Sequence, residues 1–234
     1  MLTAVLVDGN FYLHRARALW GKKAPAERAD ELYRYVVGHL GRRSPTSPVE
    51  GGARTLYRLF YYDCPPLAQG SVYRPWDGKT TAFGPSNGSF RWSKEFHREL
   101  ARKRKVAMRM GTIMAGSPYY SLKNEAVKAV LRGERAVADL GEGDFVLMGI
   151  KQAGVDMRIG LDVASLSQDR IVNQIVLVAG DMDFEPVAKV ARRAGVDFIL
   201  DPMGHHIRDE LVVNTDGIED LSETFTAESA EEPK

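Results

Sequence analysis

The sequence predicts an α/β fold, a mostly parallel sheet with helices on both faces, and three observations carry that prediction. Short apolar runs alternate along the chain with longer amphipathic stretches, the pattern of strand and crossover helix. Two of the runs, Ala4–Val7 and Ile175–Val178, are apolar at every position, as strands buried on both faces must be. Each is followed at once by an acidic turn, Asp8-Gly9 and Ala179-Gly180-Asp181, which places polar loops at the carboxyl ends of the strands, where sheets of this class bind ligands.

Taken in order, Ala4–Val7 is the first strand, and a helical stretch follows through Leu40, strongest over Ala26–Leu40. Gly41–Gly52, with two prolines, three glycines and two serines, is expected as a loop. Leu56–Tyr62 is a second strand, ending at Asp63 ahead of Pro65-Pro66, and Ala68–Gly88 is a long irregular excursion. Phe90–Lys105 reads as an amphipathic helix, with Trp92, Phe96 and Leu100 on one stripe and Lys94, Arg98 and Arg102 on another. Val106–Met114 is a third strand, Asn124–Leu140 a helix interrupted at Gly133, and Val155–Leu166 a further helix. Gln174–Ala179 is a buried strand, Pro186–Ala194 a helix stopped by Gly195, and Val196–Leu200 closes the series as a strand.

Composition bounds the function. The 234 residues are 44% hydrophobic and 27% charged, enough for one sizeable core, and the formal net charge is only +1. That balance is an average, because the last nineteen residues, from Asp216 onward, hold seven acids against Lys234 alone. Removing them leaves 31 bases against 24 acids, a body of net charge +7 that suits a polyanionic partner. The chain therefore reads as one domain over 1–215, with an irregular excursion near 63–90, and an acidic, disordered tail over 216–234. Cys64 is the only cysteine, so no disulfide or Cys-rich metal cluster is available, and a buried strand-end role is expected for it. Neither a leader nor an 18-residue apolar run is present, so a cytoplasmic protein away from membranes is expected.

The chemistry is expected at the acidic strand ends. Adjacent parallel strands would bring Asp8 and Asp181 to the same edge of the sheet, and clustered carboxylates persist at neutral pH when a hard cation neutralises them. Oxygen-only ligation favours Mg²⁺ or Mn²⁺. Asp183, ahead of Phe184-Glu185-Pro186, also has the position of a helix N-cap, and Asp156 the position of another. Asp162 lies about 120° around the helix from Asp156, so an outer supporting acid and a solvated side chain are equal readings for it.

Three motifs now stand in order: Val7-Asp8-Gly9-Asn10, then Lys151-Gln-Ala-Gly154-Val-Asp156, then Ala179-Gly180-Asp181-Met-Asp183-Phe184. Together they resemble the NYN domain, LabA-like branch, of the PIN-like nuclease superfamily. Here two residues separate Lys151 from Gly154, and Ala179 and Met182 replace two common serines, but every carboxylate is kept. The resemblance spans Met1 to about Leu200 and implies a Rossmann-like three-layer α/β/α sandwich. It further implies an acidic pocket of Asp8, Asp156, Asp181 and Asp183 holding one or two divalent metals, with Asn10 orienting substrate or a water. The implied reaction is hydrolysis of phosphodiester bonds, typically in RNA, by a metal-activated water and without a side-chain nucleophile.

The basic body gives that chemistry a partner. Lys94, Arg98 and Arg102 are candidates to follow a phosphate backbone, with Lys151 beside the second motif, although a solvated helix face is the commoner explanation of such a stripe. Tyr73, Trp76 and Phe83 are candidates to stack unpaired bases or, alternatively, to pin the excursion. Single-stranded RNA is the expected partner, membranes are not, and self-association stays open. Gly78-Lys79-Thr80 lacks the first glycine of a phosphate-binding loop, and His205-His206 lacks metal-site spacing. Two rivals remain: a haloacid-dehalogenase-type phosphatase, which needs an acid where Asn10 stands, and a non-catalytic RNA-binding domain.

Overall fold

The computed structural model describes residues 1–41 and 53–225. The loop expected at Gly41–Gly52 therefore falls almost wholly outside the described residues, as does the tail from Thr226 to Lys234. In chain order the elements are β1 (Leu2–Asp8), α1 (Gly9–Trp20), α2 (Pro25–Leu40), β2 (Thr55–Asp63), β3 (Ser71–Tyr73), β4 (Thr80–Ala82) and α3 (Gly88–Ala101). They continue with β5 (Val106–Met110), β6 (Thr112–Leu122), α4 (Asn124–Leu131), β7 (Phe145–Ala153), α5 (Val155–Gln168) and β8 (Gln174–Val178). The series ends with α6 (Glu185–Arg193), β9 (Asp197–Asp201), α7 (Asp209–Val212) and β10 (Gly217–Ile218). The chain divides into two compact units, one of residues 1–64, 95–111 and 154–234, the other of 65–94 and 112–153.

The first unit holds a six-stranded sheet in the order β10-β9-β8-β1-β2-β5, with every pairing parallel. Its central strands carry the predicted signature, for β8 is buried at all five positions and β1 from Thr3 to Val7. Neighbouring residues of β2 show that both faces are covered. Tyr61 packs edge-on against Phe96 of α3, ring centroids 5.6 Å apart, while Tyr62 donates to Asp162 of α5 at 2.7 Å from the other face. Right-handed crossovers account for this: the chain steps from β1 to β2 to β5 in one direction, then jumps back to β8 and proceeds to β9 in the other. Direction of travel decides the face, so the helices before β5 lie on one side and α5 and α6 pack together on the other.

The turn from β1 into α1 depends on Gly9. A Cβ there would stand 2.5 Å from the Tyr61 ring and 2.6 Å from the Tyr62 carbonyl oxygen, so only glycine lets the helix start so close to β2. Beyond α1, Pro25 opens α2 at its first position and Glu27 accepts from the Ala24 N–H at 3.2 Å. The buried Glu31 of α2 is satisfied by Arg28, by Lys23 at 2.5 Å and by the Tyr12 hydroxyl at 3.2 Å, a cluster that locks the α1–α2 corner.

Within the second unit, β6 and β7 pair antiparallel from Thr112↔Ala153 to Leu122↔Phe145, and β3 and β4 form a short hairpin. Trp76 is pinned there against Tyr120 and Phe145, with centroids 4.7 and 5.4 Å away, so the pinning role holds for it, while Tyr73 is exposed. Three expectations change in this region. The strand predicted over Val106–Met114 breaks at Gly111 into β5 and the start of β6, which join different sheets. The helix predicted over Asn124–Leu140 stops at Leu131, and β7, with Gly149 interrupting its alternation, was not expected at all. Gly78-Lys79 lies in the β3–β4 turn and Thr80 opens β4, the turn being closed by an Arg74–Asp77 ion pair of 2.6 Å.

The acidic tail also begins later than expected. Gly217-Ile218 adds β10 to the sheet beside β9, and Asp216 accepts from the Phe198 N–H at 2.9 Å and from Arg192 at 3.0 Å. Glu219 takes both ends of the buried Arg54 guanidinium, each at 2.6 Å. These acids do not form a charge run facing solvent; each meets a donor of the sheet or its helices, which is why composition alone misplaced them.

Candidate functional site

The parallel pairing of β1 with β8 brings the two acidic turns side by side at the carboxyl edge of the sheet. An open cleft of about 730 Å³ lies there, within the range that admits small-molecule ligands. Asp8, Asn10, Asp181 and Asp183 all line it. Asp8 caps α1, its Oδ1 accepting from the Phe11 N–H at 3.1 Å. Asp181 Oδ1 accepts from the Asp183 N–H at 3.1 Å, which tightens the turn after β8. Asp183 is not the helix cap it was expected to be: it sits in a short 3₁₀ turn, and Phe184 takes the cap position of α6. Asp156 is likewise no cap, because Gly154, in a left-handed conformation, opens α5. Both carboxylates are thus released from local structural duty and exposed.

The electrostatics of the edge are those of an unneutralised acidic cluster. Burial pushes the Asp8 carboxyl up to about 6, against its Phe11 hydrogen bond, and the charges of Asp156 and Asp63 push it further in the same direction. Asp156 is raised by burial and then by the charges of Asp181 and Asp183. Asp156 is thus the acid whose charge reaches Asp8 and which in turn feels Asp181 and Asp183.

Asp63, outside the three motifs, ends β2, the neighbour of β1, with the same grammar of apolar strand and acid. That grammar was the available signal. Asp63 is nearly buried and held by His97 Nε2 at 2.9 Å and the Cys64 N–H at 2.7 Å, and Cys64 is buried as expected. Asp162 stands outside the cleft, accepting from Tyr62 at 2.7 Å and Arg109 Nε at 2.8 Å, so it clamps α5 to the sheet rather than standing solvated.

The basic candidates behave differently. Arg98 pairs with Glu95 and Glu99, and Arg102 with Glu99 at 3.0 Å, so their charge is largely answered within α3. Neither lines the cleft. Lys94 lies 6.0 Å from the Phe90 ring centroid, and Lys151, exposed near the end of β7, stands across from Met114. The cleft has its own bases instead: His14, His205, His206 and Arg208. Asp201, which ends β9, is buried and committed to Tyr35 at 2.6 Å and His39 at 2.7 Å.

As a set, the acidic donors fit a hard divalent cation: they offer oxygen only, and their like charges stand uncompensated. In the present rotamers, no three acid, imidazole or thiol side chains among the described residues converge closely enough to hold one.

The NYN domain family matches residues 94–219, more than half of the chain. The chain belongs to the NYN domain family. As an NYN domain it falls within the PIN-like nuclease superfamily. The match contains the Asp156, Asp181 and Asp183 motifs and runs to Glu219, through β10, while Asp8 lies ahead of it. Among solved structures, the NYN chain is similar to a protein of unknown function from Vibrio parahaemolyticus, with 14% identity and a TM-score of 0.45 over 96% of this chain and 94% of that one. No curated protein matches it. No helix among the described residues is long and apolar enough to cross a membrane.

Proposed function

We propose that this NYN domain is a ribonuclease that hydrolyses phosphodiester bonds of single-stranded RNA at the β1/β8 cleft, using Mg²⁺ or Mn²⁺. The observation that carries the reading is that Asp8, Asp181 and Asp183 line one cleft, with Asp156 electrostatically coupled to them. Asp8, Asp156, Asp181 and Asp183 would hold the cation. When bound, it would supply an acidified water and stabilise charge at phosphorus and the leaving oxygen.

The chain's own residues contribute position. Asp8 is fixed by its cap on α1, so the carboxylate points out of the sheet edge in one orientation. Asn10, one residue into the helix beyond Gly9, presents an amide to the cleft and can donate to a phosphate oxygen or orient a water. That amide has no proton to give a leaving group as an acid would, which sets the cleft apart from the phosphatase arrangement. The family supports a nucleic-acid substrate, and the body through Phe225 still carries +3 once Asp216, Glu219, Asp220 and Glu223 are counted with the fold.

The test incubates labelled single-stranded RNA with the protein in EDTA, Mg²⁺ or Mn²⁺. Cleavage is expected only with metal, and Asp8→Asn or Asp181→Asn is expected to lower it at least about a hundredfold, the upper end of what losing even an outer partner costs a metal site. Undiminished cleavage by both variants would falsify the assignment. Metal-independent RNA binding without cleavage would instead identify a recognition domain.

A further inference from the structure

The acidic cleft also collects basic side chains that the fold itself does not use. His14 lies one helical turn past Asn10 on α1, His205 and His206 follow β9, and Arg208 immediately precedes α7. Among the described residues, the side chains of His14, His206 and Arg208 make no hydrogen bond or ion pair, and the His205 ring meets only Phe11, edge to face, with centroids 6.0 Å apart. None of the four pairs with Asp8, Asp181 or Asp183, although all line the same cleft. Unpaired N–H donors and one fixed cation that share a cleft with carboxylates without touching them leave room for an anionic ligand on their side.

The turn carrying the two histidines is held from several directions. Asp201 Oδ1 accepts from the Met203 N–H at 2.8 Å, and the His205 N–H donates to the Pro202 carbonyl at 2.9 Å. Arg15 of α1 forks onto the Met203 carbonyl, Nε at 2.9 Å and Nη2 at 2.7 Å, and the Gly204 N–H donates to Asp220. Met203 itself is buried with φ +47°, a left-handed conformation uncommon outside glycine and sustained only where the surroundings over-determine it. On the facing turn, a Cβ at Gly180 would stand 2.4 Å from the Phe11 ring and 3.1 Å from His205 Cδ2. Glycine at 180 is therefore what allows Phe11 and His205 to meet beside the Asp181 turn.

From this arrangement we infer that His14, His205, His206 and Arg208 form a phosphate subsite, which grips the non-bridging oxygens of a phosphodiester next to the one cleaved. Imidazole and guanidinium N–H groups are the donors, and the restrained turn sets their distance from the carboxylates. The inference rests on the nuclease reading and adds to it where the strand is held.

Binding of a fluorescein-labelled single-stranded RNA to the full chain, followed by anisotropy across a salt series in EDTA, separates the two ideas. The double substitution His205→Ala, Arg208→Ala is expected to weaken binding about tenfold or more, the scale of losing charge-assisted hydrogen bonds. The slope of log Kd against log salt is expected to fall by about 0.7 for the one permanent cation removed. Should the double variant fail to fold by circular dichroism, Arg208→Ala alone, at an exposed position, carries the same slope prediction. Unchanged affinity and slope in a folded variant, with wild type binding and cleaving RNA, overturns the subsite and leaves the nuclease standing. A wild-type chain that neither binds nor cleaves RNA overturns both.

Discussion

Asp8 shows what a buried carboxylate costs the protein that carries it. Its pKa of about 6, against an ordinary 3.8, means that the folded chain holds this proton more tightly than the unfolded one. Stability at this site is therefore highest below about pH 4 and falls as pH rises through 6, where the buried carboxylate ionises. Asp8→Asn keeps an oxygen for the Phe11 N–H and removes the charge. In EDTA at pH 7.5 the variant is expected to be more stable than wild type by about 1–3 kcal/mol in urea unfolding, with the difference vanishing near pH 4. Added Mg²⁺ should then stabilise wild type and leave the variant unmoved; equal responses would argue against a cation on Asp8. Asp8 and Asp181 were readable from sequence because each directly follows an all-apolar strand. Asp63 obeys the same rule without a motif to mark it, and His205-His206 reads in the sequence only as a pair without metal-ligand spacing, because its position depends on the Asp201–Gly204 turn.

At the level of elements, the segment around β10 works as a buckle on the edge of the sheet. Burial alone would raise Glu219, yet the Arg54 fork and the neighbouring His39 outweigh it and draw its carboxyl down to about 2. A depressed carboxyl contributes stability above its unfolded value and loses it as pH falls, here from about 4.5 toward 2. Glu219→Gln is expected to unfold at higher pH than wild type does in acid titrations, and to be less stable at pH 7 by about 2–4 kcal/mol, because Arg54 stays buried without its counter-charge. His39 adds the opposite slope: burial would lower it, but Asp201 and Glu219 hold it above its ordinary value, so its contribution is present below about pH 6.5 and fades at higher pH. Helices and strands with one clear period, such as α2, α5 and β8, were legible in the sequence, whereas β7 and β10 were not. A half-exposed hairpin strand has no single apolar face to announce it, and a two-residue edge strand is made by its partners.

For the molecule as a whole, one of the two segments of the second unit, 112–153, begins and ends at a pair of neighbours. Thr112 and Ala153 are cross-strand partners, so the 42-residue span between and including them begins and ends at almost one point. Replacing 112–153 by a short Gly-Ser linker is expected to leave the six-stranded sheet intact, with cooperative urea unfolding, while Trp76 loses Tyr120 and Phe145 and its fluorescence shifts to the red. Loss of cooperative unfolding in that variant would count against two compact units.

The placement of β1 between β2 and β8 also has a timing. Asp8 and Asp181 stand at the ends of two paired strands yet 173 positions apart in the chain, and the His205 turn comes later still. A ribosome adding about 5–20 residues per second needs roughly ten seconds or more to cover that interval. During all of it β1 can find β2 but not β8, and the carboxylates remain apart. Until that interval has been translated, the cleft between the ends of β1 and β8 does not exist.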